Sequence, residues 1–412
     1  MGMRLRRSAA EADRPIYRRD IPAAFAILLA GVGGCRSGEG IDDCIDGPPV
    51  RDEPRPLVRT TLVRNQFSED EIERALRTSA PPAYLLKTPV TVLYHALRLW
   101  GASANFTDLD FESSQLKGRW GSVMRSALFS EDIQKTFVSI GPETFFHPTP
   151  FGLMIRTTAD GGFASRFAST HPGAYLSVLA DLGTPSDQDI RLSSNPWVPT
   201  VRDVVGDCAA RIHPAIESEW SASALSRYVS GPDWSDRFGK PTGKNQMVRW
   251  LVERPFGHGS CHGCHIPYAL AVLFQDKSIS TESHDRIALR LDSYNRQLKR
   301  MQASDGSWGS DWSDQNRAGD LSEKFTWGSQ AVDRLSVTGH HLGWQSLLDS
   351  DHRLSEERLA LGVRFVLRQI ELVRPEINAD WHRYGTLTHA ASAILSSTGT
   401  TDLSQRFPHL LR

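Results

Sequence analysis

The densest chemistry in the chain lies between Gly257 and Leu270, where the sequence runs Gly257-His258-Gly259-Ser260-Cys261-His262-Gly263-Cys264-His265-Ile266-Pro267-Tyr268-Ala269-Leu270. Thiolates and imidazoles are the ligands that zinc prefers, and a catalytic zinc keeps one position open. Cys261 and Cys264, with two residues between them, are therefore candidate zinc ligands, with His262, His265 or a distant His340 or His341 completing the shell. The same letters spell Cys-x-x-Cys-His, the attachment string of haem c, with His265 as the proximal ligand. A third reading is architectural. Gly257, Gly259 and Gly263 shape a tight loop that opens a buried helix, while His265 and Tyr268 make structural hydrogen bonds or line a ligand pocket. On this reading Cys261 and Cys264 are free or form a strained pair.

A second concentration is Gly339-His340-His341-Leu342-Gly343-Trp344. His340 and His341 are candidate acid–base groups and Trp344 a surface on which a ligand stacks. The plainer alternative is that one histidine caps a helix and the other faces solvent. Asp305 is a candidate catalytic carboxylate; Glu217, Glu219 and Asp380, the last in Asp380-Trp381-His382, are further candidates. A glycosidase-type carboxylate pair cannot be selected from them without geometry.

Groups of this kind need a rigid frame, and the composition supplies one. The 412 residues are 40% hydrophobic and include 11 Trp, 17 Phe and 8 Tyr, enough for a sizeable core. A net charge of -1 lacks the electrostatic footprint of a nucleic-acid partner. Five cysteines, unevenly placed, are too few for a disulfide scaffold.

The N-terminus reads as an address. Arg4, Arg6, Arg7, Arg14, Arg18 and Arg19 precede an apolar run from Ile21 to Gly31 that is too short to span a bilayer. The run ends at Val32-Gly33-Gly34-Cys35. A basic region, a short apolar core and small residues form a secretory signal. The junction resembles a bacterial lipobox, which makes Cys35 the expected lipidation site, with residues 1–34 the signal peptide and the protein exported and held at a membrane surface. Residues 35–57, rich in Gly, Asp and Pro and containing Cys44, are expected to form a flexible tether. Residues 58–412 form the folded domain.

Within that domain the hydrophobic pattern is helical. Ser68-Glu69-Asp70-Glu71 is a capping box, and Thr88-Pro89-Val90 opens a helix that stops at Gly101. Further helices are expected over 175–182, 200–212, 217–230, 246–252, 269–274, 285–301, 324–335, 342–348, 355–373 and 387–395. Phe151–Thr157 is a candidate short strand, with Asp160-Gly161-Gly162 turning after it. A loose repeat places a histidine at the start of a small or apolar helix at His95, His265, His341 and His389. The unequal spacing excludes a strict solenoid and suits helical hairpins of variable length set in a ring.

Gln302-Ala303-Ser304-Asp305-Gly306-Ser307-Trp308-Gly309 resembles the Gln…Asp-Gly-x-Trp-Gly turn of terpenoid cyclases and protein prenyltransferases. That superfamily folds as an α/α toroid, two concentric rings of helices. Mechanically, Asp-Gly is a favoured tight turn, and Gln and Trp tie the end of one helix to the start of the next. Glu217-Ser218-Glu219-Trp220-Ser221 with Ala224, Leu225 and Tyr228, Trp234-x4-Gly239, Cys261-x-Gly263-x-His265-x2-Tyr268-Ala269-Leu270 and Val337–Trp344 resemble a group of uncharacterised bacterial exported proteins with the same toroid, over about residues 85–405. The resemblance implies an all-α toroid with a short irregular or β-containing N-terminal part, and it brings no reaction with it. The Asp-x-Asp-Asp acid of one cyclase class is missing; Asp108-Leu109-Asp110-Phe111-Glu112 is the nearest string. Residues 58–412 hold no Asp-x-Cys pair of the prenyltransferase kind either. Cys261-His262-Gly263 matches the Cys-His-Gly zinc string of lantibiotic-type cyclases.

The sequence thus leads to an exported, lipid-anchored toroid protein that binds a hydrophobic, terpenoid-like or carbohydrate ligand in a central cavity. The alternatives are a zinc-dependent enzyme and a haem c protein.

Overall fold

The computed structural model describes residues 47–64, 66–81, 90–107, 116–130, 145–157, 169–192, 197–314, 330–379, 383–399 and 403–412, all within the unit Cys44–Arg412. Helices dominate them. In chain order they are α1 (Glu69–Thr78), α2 (Val90–Trp100), α3 (Trp120–Leu128), α4 (Ala174–Asp181), α5 (Val201–Arg211), α6 (Glu219–Tyr228), α7 (Lys244–Glu253), α8 (His265–Phe274), α9 (Thr281–Met301), α10 (Gln330–Gln345), α11 (Glu356–Ala379) and α12 (Tyr384–Ser397), followed by short turns. Two small antiparallel hairpins interrupt them: β1 (Phe146–Thr149) with β2 (Gly152–Ile155), and β3 (Asp233–Ser235) with β4 (Pro241–Gly243).

Two kinds of helix alternate. Every residue of α6 is buried, and so is all of α4 from Ala174 to Ala180. Such helices have no solvent face and require neighbours on all sides. The contacts follow from this. α2 packs on α4, α4 on α6, α6 on α8, α8 on α10, α10 on α12, and α12 returns to α2. The amphipathic helices flank that succession: α5 packs on α4 and α6, α7 on α6 and α8, α9 on α8, and α11 on α10 and α12. The core between them holds Trp120, Trp308, Trp312, Trp344, Tyr228 and Tyr294, all fully buried.

Local signals work as the sequence suggests. Ser68 Oγ accepts from Glu71 N at 3.2 Å while Glu71 Oε2 accepts from Ser68 N at 2.9 Å, the capping box expected at the start of α1, worth about 1 kcal/mol. The Gln302–Gly309 turn is a tie. Gln302 Nε2 donates to Gly306 O and Arg358 O, at 3.0 and 2.9 Å, and Trp308 Nε1 donates to Leu298 O at 3.0 Å. Gly306 sits at φ 95°, where a side chain would strain the backbone and strike Leu361.

Three expectations change. The two helices expected over 324–335 and 342–348 are one continuous helix, α10, running through Gly339-His340-His341. Gly339 is no break: a Cβ there would stand 2.8 Å from Ala390 N, so glycine lets α10 and α12 approach closely. The candidate strand is shorter than Phe151–Thr157, occupying Gly152–Ile155. Residues 47–57, expected as the end of a flexible tether, are bonded to the body. Arg51 N donates to Tyr228 O at 2.7 Å and Arg55 N to Arg227 O at 2.9 Å. The strap continues past this point, with Arg55 Nη2 on Val272 O and Thr60 N on Ser346 O, crossing the C-terminal ends of α6, α8 and α10. Cys35, Cys44, Thr88, Pro89, Asp108–Glu112, Asp160–Gly162 and Asp380–His382 lie outside the described residues. No described helix is long and apolar enough to cross a membrane.

Candidate metal centre

The buried helices share a direction, and the residues at their N-terminal ends meet. His171 precedes α4, Glu217 precedes α6, and Cys261 lies in the turn that opens α8, whose first residue is His265. That turn is unusual. Cys261 and His262 stand at φ 49° and 57°, and Gly263 at φ 76°. Left-handed backbone at two successive non-glycine residues is costly, and strain of this kind clusters at functional sites. A Cβ on Gly263 would lie 2.6 Å from Gly257 Cα, so the loop doubles back on itself where glycine alone fits. It is pinned on two sides, by Ser260 Oγ donating to Glu217 Oε2 at 2.9 Å and by Trp312 Nε1 donating to His262 O at 2.9 Å.

Glu217 organises the site. Its Oε2 stands 3.0 Å from His171 Nδ1 and its Oε1 3.3 Å from His265 Nδ1. With Nδ1 of both rings committed, each has Nε2 left to face the Cys261 thiol. One ligand atom from each of His171, Cys261 and His265 lies within 4.8 Å of the others. Atoms bound to a single tetrahedral zinc stand about 3.3–3.6 Å apart, a modest inward movement from this arrangement. A carboxylate on the far nitrogen of a ligating histidine fixes its tautomer and raises its basicity.

A third imidazole completes the wall. His340 Nδ1 donates to Ser336 O at 2.7 Å, one turn back along α10. This assigns its proton to Nδ1 and leaves a lone pair on Nε2, which is buried and has no hydrogen-bond partner among the described residues. The ring lies 5.3 Å from that of His265 and 3.7 Å from that of His389, which in turn lies 4.8 Å from His95.

The electrostatics are coupled. Burial pushes the Cys261 thiol up, but the charge of His265 and the hydrogen bonds from His171 and His265 outweigh it and hold the thiol well below its ordinary range. Burial opposes protonation of His265, yet Cys261 and Glu217 lift it to about 10. Burial likewise works against the Glu217 carboxylate, and the two histidines hold it far below the carboxylate range all the same. Burial keeps His95 neutral, down to about 3.

Sequence proximity misassigned part of this set. Cys264, expected beside Cys261 as a ligand, points into the core. It is fully buried, with Sγ 3.9 Å from His341 Nε2, and burial pushes its thiol up. Both cysteines are free. His262 contributes its backbone carbonyl to Trp312 and is not in the converging group. His341 is fully buried, accepts at Nδ1 from Trp344 Nε1 at 3.1 Å, and packs on Trp312. Trp344 is thus a core partner of His341. Asp305 accepts from Ser307 N and Oγ, at 3.1 and 2.8 Å, and pairs with Arg334 at 2.5 Å, within the tie between helices. Glu219 is buried against Arg254 at 2.6 Å. Tyr268 flanks Trp220, which in turn stacks on His265. The arrangement does not fit haem c. Thioether bonds need both sulfurs on the face that His265 presents, whereas Cys264 lies among Trp312 and His341, and the His265 ring is enclosed by His171, Trp220 and His340.

His171 was not singled out from sequence. Its signal is the one that marks His95, His265 and His389: a histidine leading into a small, apolar helix, here Ala174-Tyr175-Leu176. No protein-family model, no curated protein and no solved structure matches this chain.

Proposed function

We propose that the protein is a zinc-dependent enzyme whose metal is held by His171, Cys261 and His265. The observation that carries this reading is Glu217 taking Nδ1 of both histidines and leaving their second nitrogens beside one thiol. Mixed sulfur and imidazole donors suit zinc over magnesium or calcium. Three protein ligands are the number that a catalytic zinc uses, with the remaining position free for water or substrate. A zinc held there would supply an acidified water, and His340, with an unpartnered Nε2 on the wall of the adjoining cavity, would be the group placed to take up a proton. Ser260, Glu217 and the left-handed turn hold the thiol and the rings in place before any ligand arrives.

The frame of this reading is an α/α toroid, supported by the cyclic succession of buried helices α2, α4, α6, α8, α10 and α12 and by the resemblance of the Gln302–Gly309 turn to that superfamily. Export and lipid anchoring at Cys35 rest on the basic, apolar and small-residue order of the first 35 residues. A second reading, a ligand-holding protein of the cell envelope, draws on the aromatic cavity wall of Trp220 and Tyr268, which suits a ligand with a flat, apolar or carbohydrate face.

The test is metal analysis after zinc loading and removal of loosely bound ions. The expected result is one zinc per chain, lost in Cys261→Ala and in His171→Ala and retained in Cys264→Ala. Zinc retained in Cys261→Ala, or absent from the wild type, would overturn the reading.

A further inference from the structure

Beside the metal centre, the ring of buried helices encloses a cavity with His265, His340 and His389 on its wall. The same cavity is lined by Arg59, Arg98 and Ser396, and no carboxylate is among its lining residues. These groups form a second layer. Arg59, reaching in from the strap, donates to Ser346 Oγ at 2.9 Å and approaches Gly343 O. It therefore lies three to six residues beyond His340 along α10, about 5–9 Å. On α12, Ser396 follows His389 by about 10 Å of helix. On α2, Arg98 follows His95 by one turn.

Each member of this layer has capacity left over. Arg98 gives Nε to Asp181 at 2.7 Å and Nη2 to Ser177 at 3.1 Å, and its guanidinium lies 4.4 Å over the Trp220 ring. Nη1 remains. Asp181 is shared with Arg227, at 2.5 Å, so its single negative charge faces two guanidiniums. Arg59 has no carboxylate partner at ion-pair distance among the described residues. Ser396 is 1% exposed, and its Oγ has no hydrogen-bond partner among them. Buried hydroxyls are normally satisfied, so an orphaned Ser396 hydroxyl beside two half-buried guanidiniums around one void describes an acceptor that is missing. The intervening wall of Trp220, Tyr268 and Leu395 is apolar.

We infer that this cavity is the subsite for a small monocarboxylate with a short aliphatic or monoaromatic body. The carboxylate is held by Arg59, Arg98 and Ser396, the body lies against Trp220 and Tyr268, and the other end is presented to His340 and the Cys261 centre. The orientation rests on the metal reading, whereas the carboxylate subsite stands on its own residues.

The test is calorimetric titration of the full chain, zinc-loaded and chelator-treated, with benzoate and butyrate and with their neutral isosteres benzamide and butyramide. At least one acid binds both forms, about tenfold or more tighter than its amide. Arg59→Gln weakens that acid by about tenfold to a hundredfold, as loss of a charge-assisted bond does, while Arg59→Lys recovers most of the affinity and Ser396→Ala costs less. Zinc content is unchanged in all three variants. Acid and amide binding alike, acid binding unchanged in Arg59→Gln, or neither acid binding either form would each overturn the inference. Binding that requires zinc and ignores Arg59→Gln would place the carboxylate on the metal and overturn it as well. If zinc is absent while Arg59-dependent acid binding persists, the metal reading fails and the subsite stands.

Discussion

Cys261 and Cys264 are three residues apart, and each meets a histidine, yet they lie in opposite environments. Cys261 stands at the N-terminal ends of three buried helices, beside three imidazoles and a carboxylate that already bridges two of them. Cys264 stands one turn further on, in a dry box of Trp308, Trp312 and Trp344, beside a histidine that burial keeps neutral. One pair is polarised into thiolate and imidazolium, and the other remains thiol and imidazole. Residue type is the same in both. The difference is Glu217: a buried anion that accepts from His171 and His265 stabilises charge at one sulfur, while the other meets His341 and has no carboxylate at hydrogen-bond distance among the described residues.

The comparison can be broken most sharply at the ligands. Cys261→Ala removes a donor outright and is expected to weaken zinc by more than about a hundredfold, beyond the 10–100-fold typical of outer-shell changes; competition with a chelator of known affinity measures it. Next comes Glu217→Gln, which keeps the shape but gives up the anion, with an expected loss of about tenfold to a hundredfold in zinc affinity and little change in secondary structure by circular dichroism. Retention of full affinity in Glu217→Gln would remove the distinction between the two cysteines.

The thiols themselves sharpen the contrast. In metal-free protein the Cys261 thiol is held below its ordinary range, so its thiolate persists as pH falls, whereas an ordinary thiol loses about tenfold in thiolate per pH unit below about 8.5. Alkylation of Cys261 by iodoacetamide, followed by peptide mass analysis, is therefore expected to vary little between pH 6 and 9. Cys264, raised and buried, stays unmodified across that range. The smallest effect is Cys264→Ala, which leaves zinc binding intact and lowers stability by about 1–2 kcal/mol through the void it leaves, read from denaturant midpoints.

Much of the frame was legible in the residues. α8 shows as an apolar segment and α6 as a helical pattern with Trp220, Ala224, Leu225 and Tyr228 on one side, the capping box at Ser68 forms as written, and the Gln302–Gly309 turn ties two helices in the way its residues suggest. The site was legible by halves. Cys261 and His265 stand out by density, and Glu217 was among the carboxylates considered, but His171 lies 90 residues from Cys261 in sequence. Only the packing of α4 beside α6 and α6 beside α8 brings the two together. His340 and His341 show why neighbours in sequence can part: one residue of helix turns the side chain by about 100°, sending His340 to the cavity and His341 to the tryptophans. The same holds for Cys264 and His262, which local spacing suggested as ligands and which the left-handed turn at Cys261–Gly263 directs elsewhere. The gap expected between 335 and 342 is helical because the glycine at 339 answers to the close approach of α12, a long-range contact.

The most direct test of the central claim is X-ray absorption at the zinc edge of the loaded protein. The account predicts a single sulfur at about 2.3 Å and the remaining donors at nitrogen or oxygen distances of about 2.0–2.2 Å. Two sulfurs would bring Cys264 into the shell, and none would leave Cys261 out of it; either result contradicts the account.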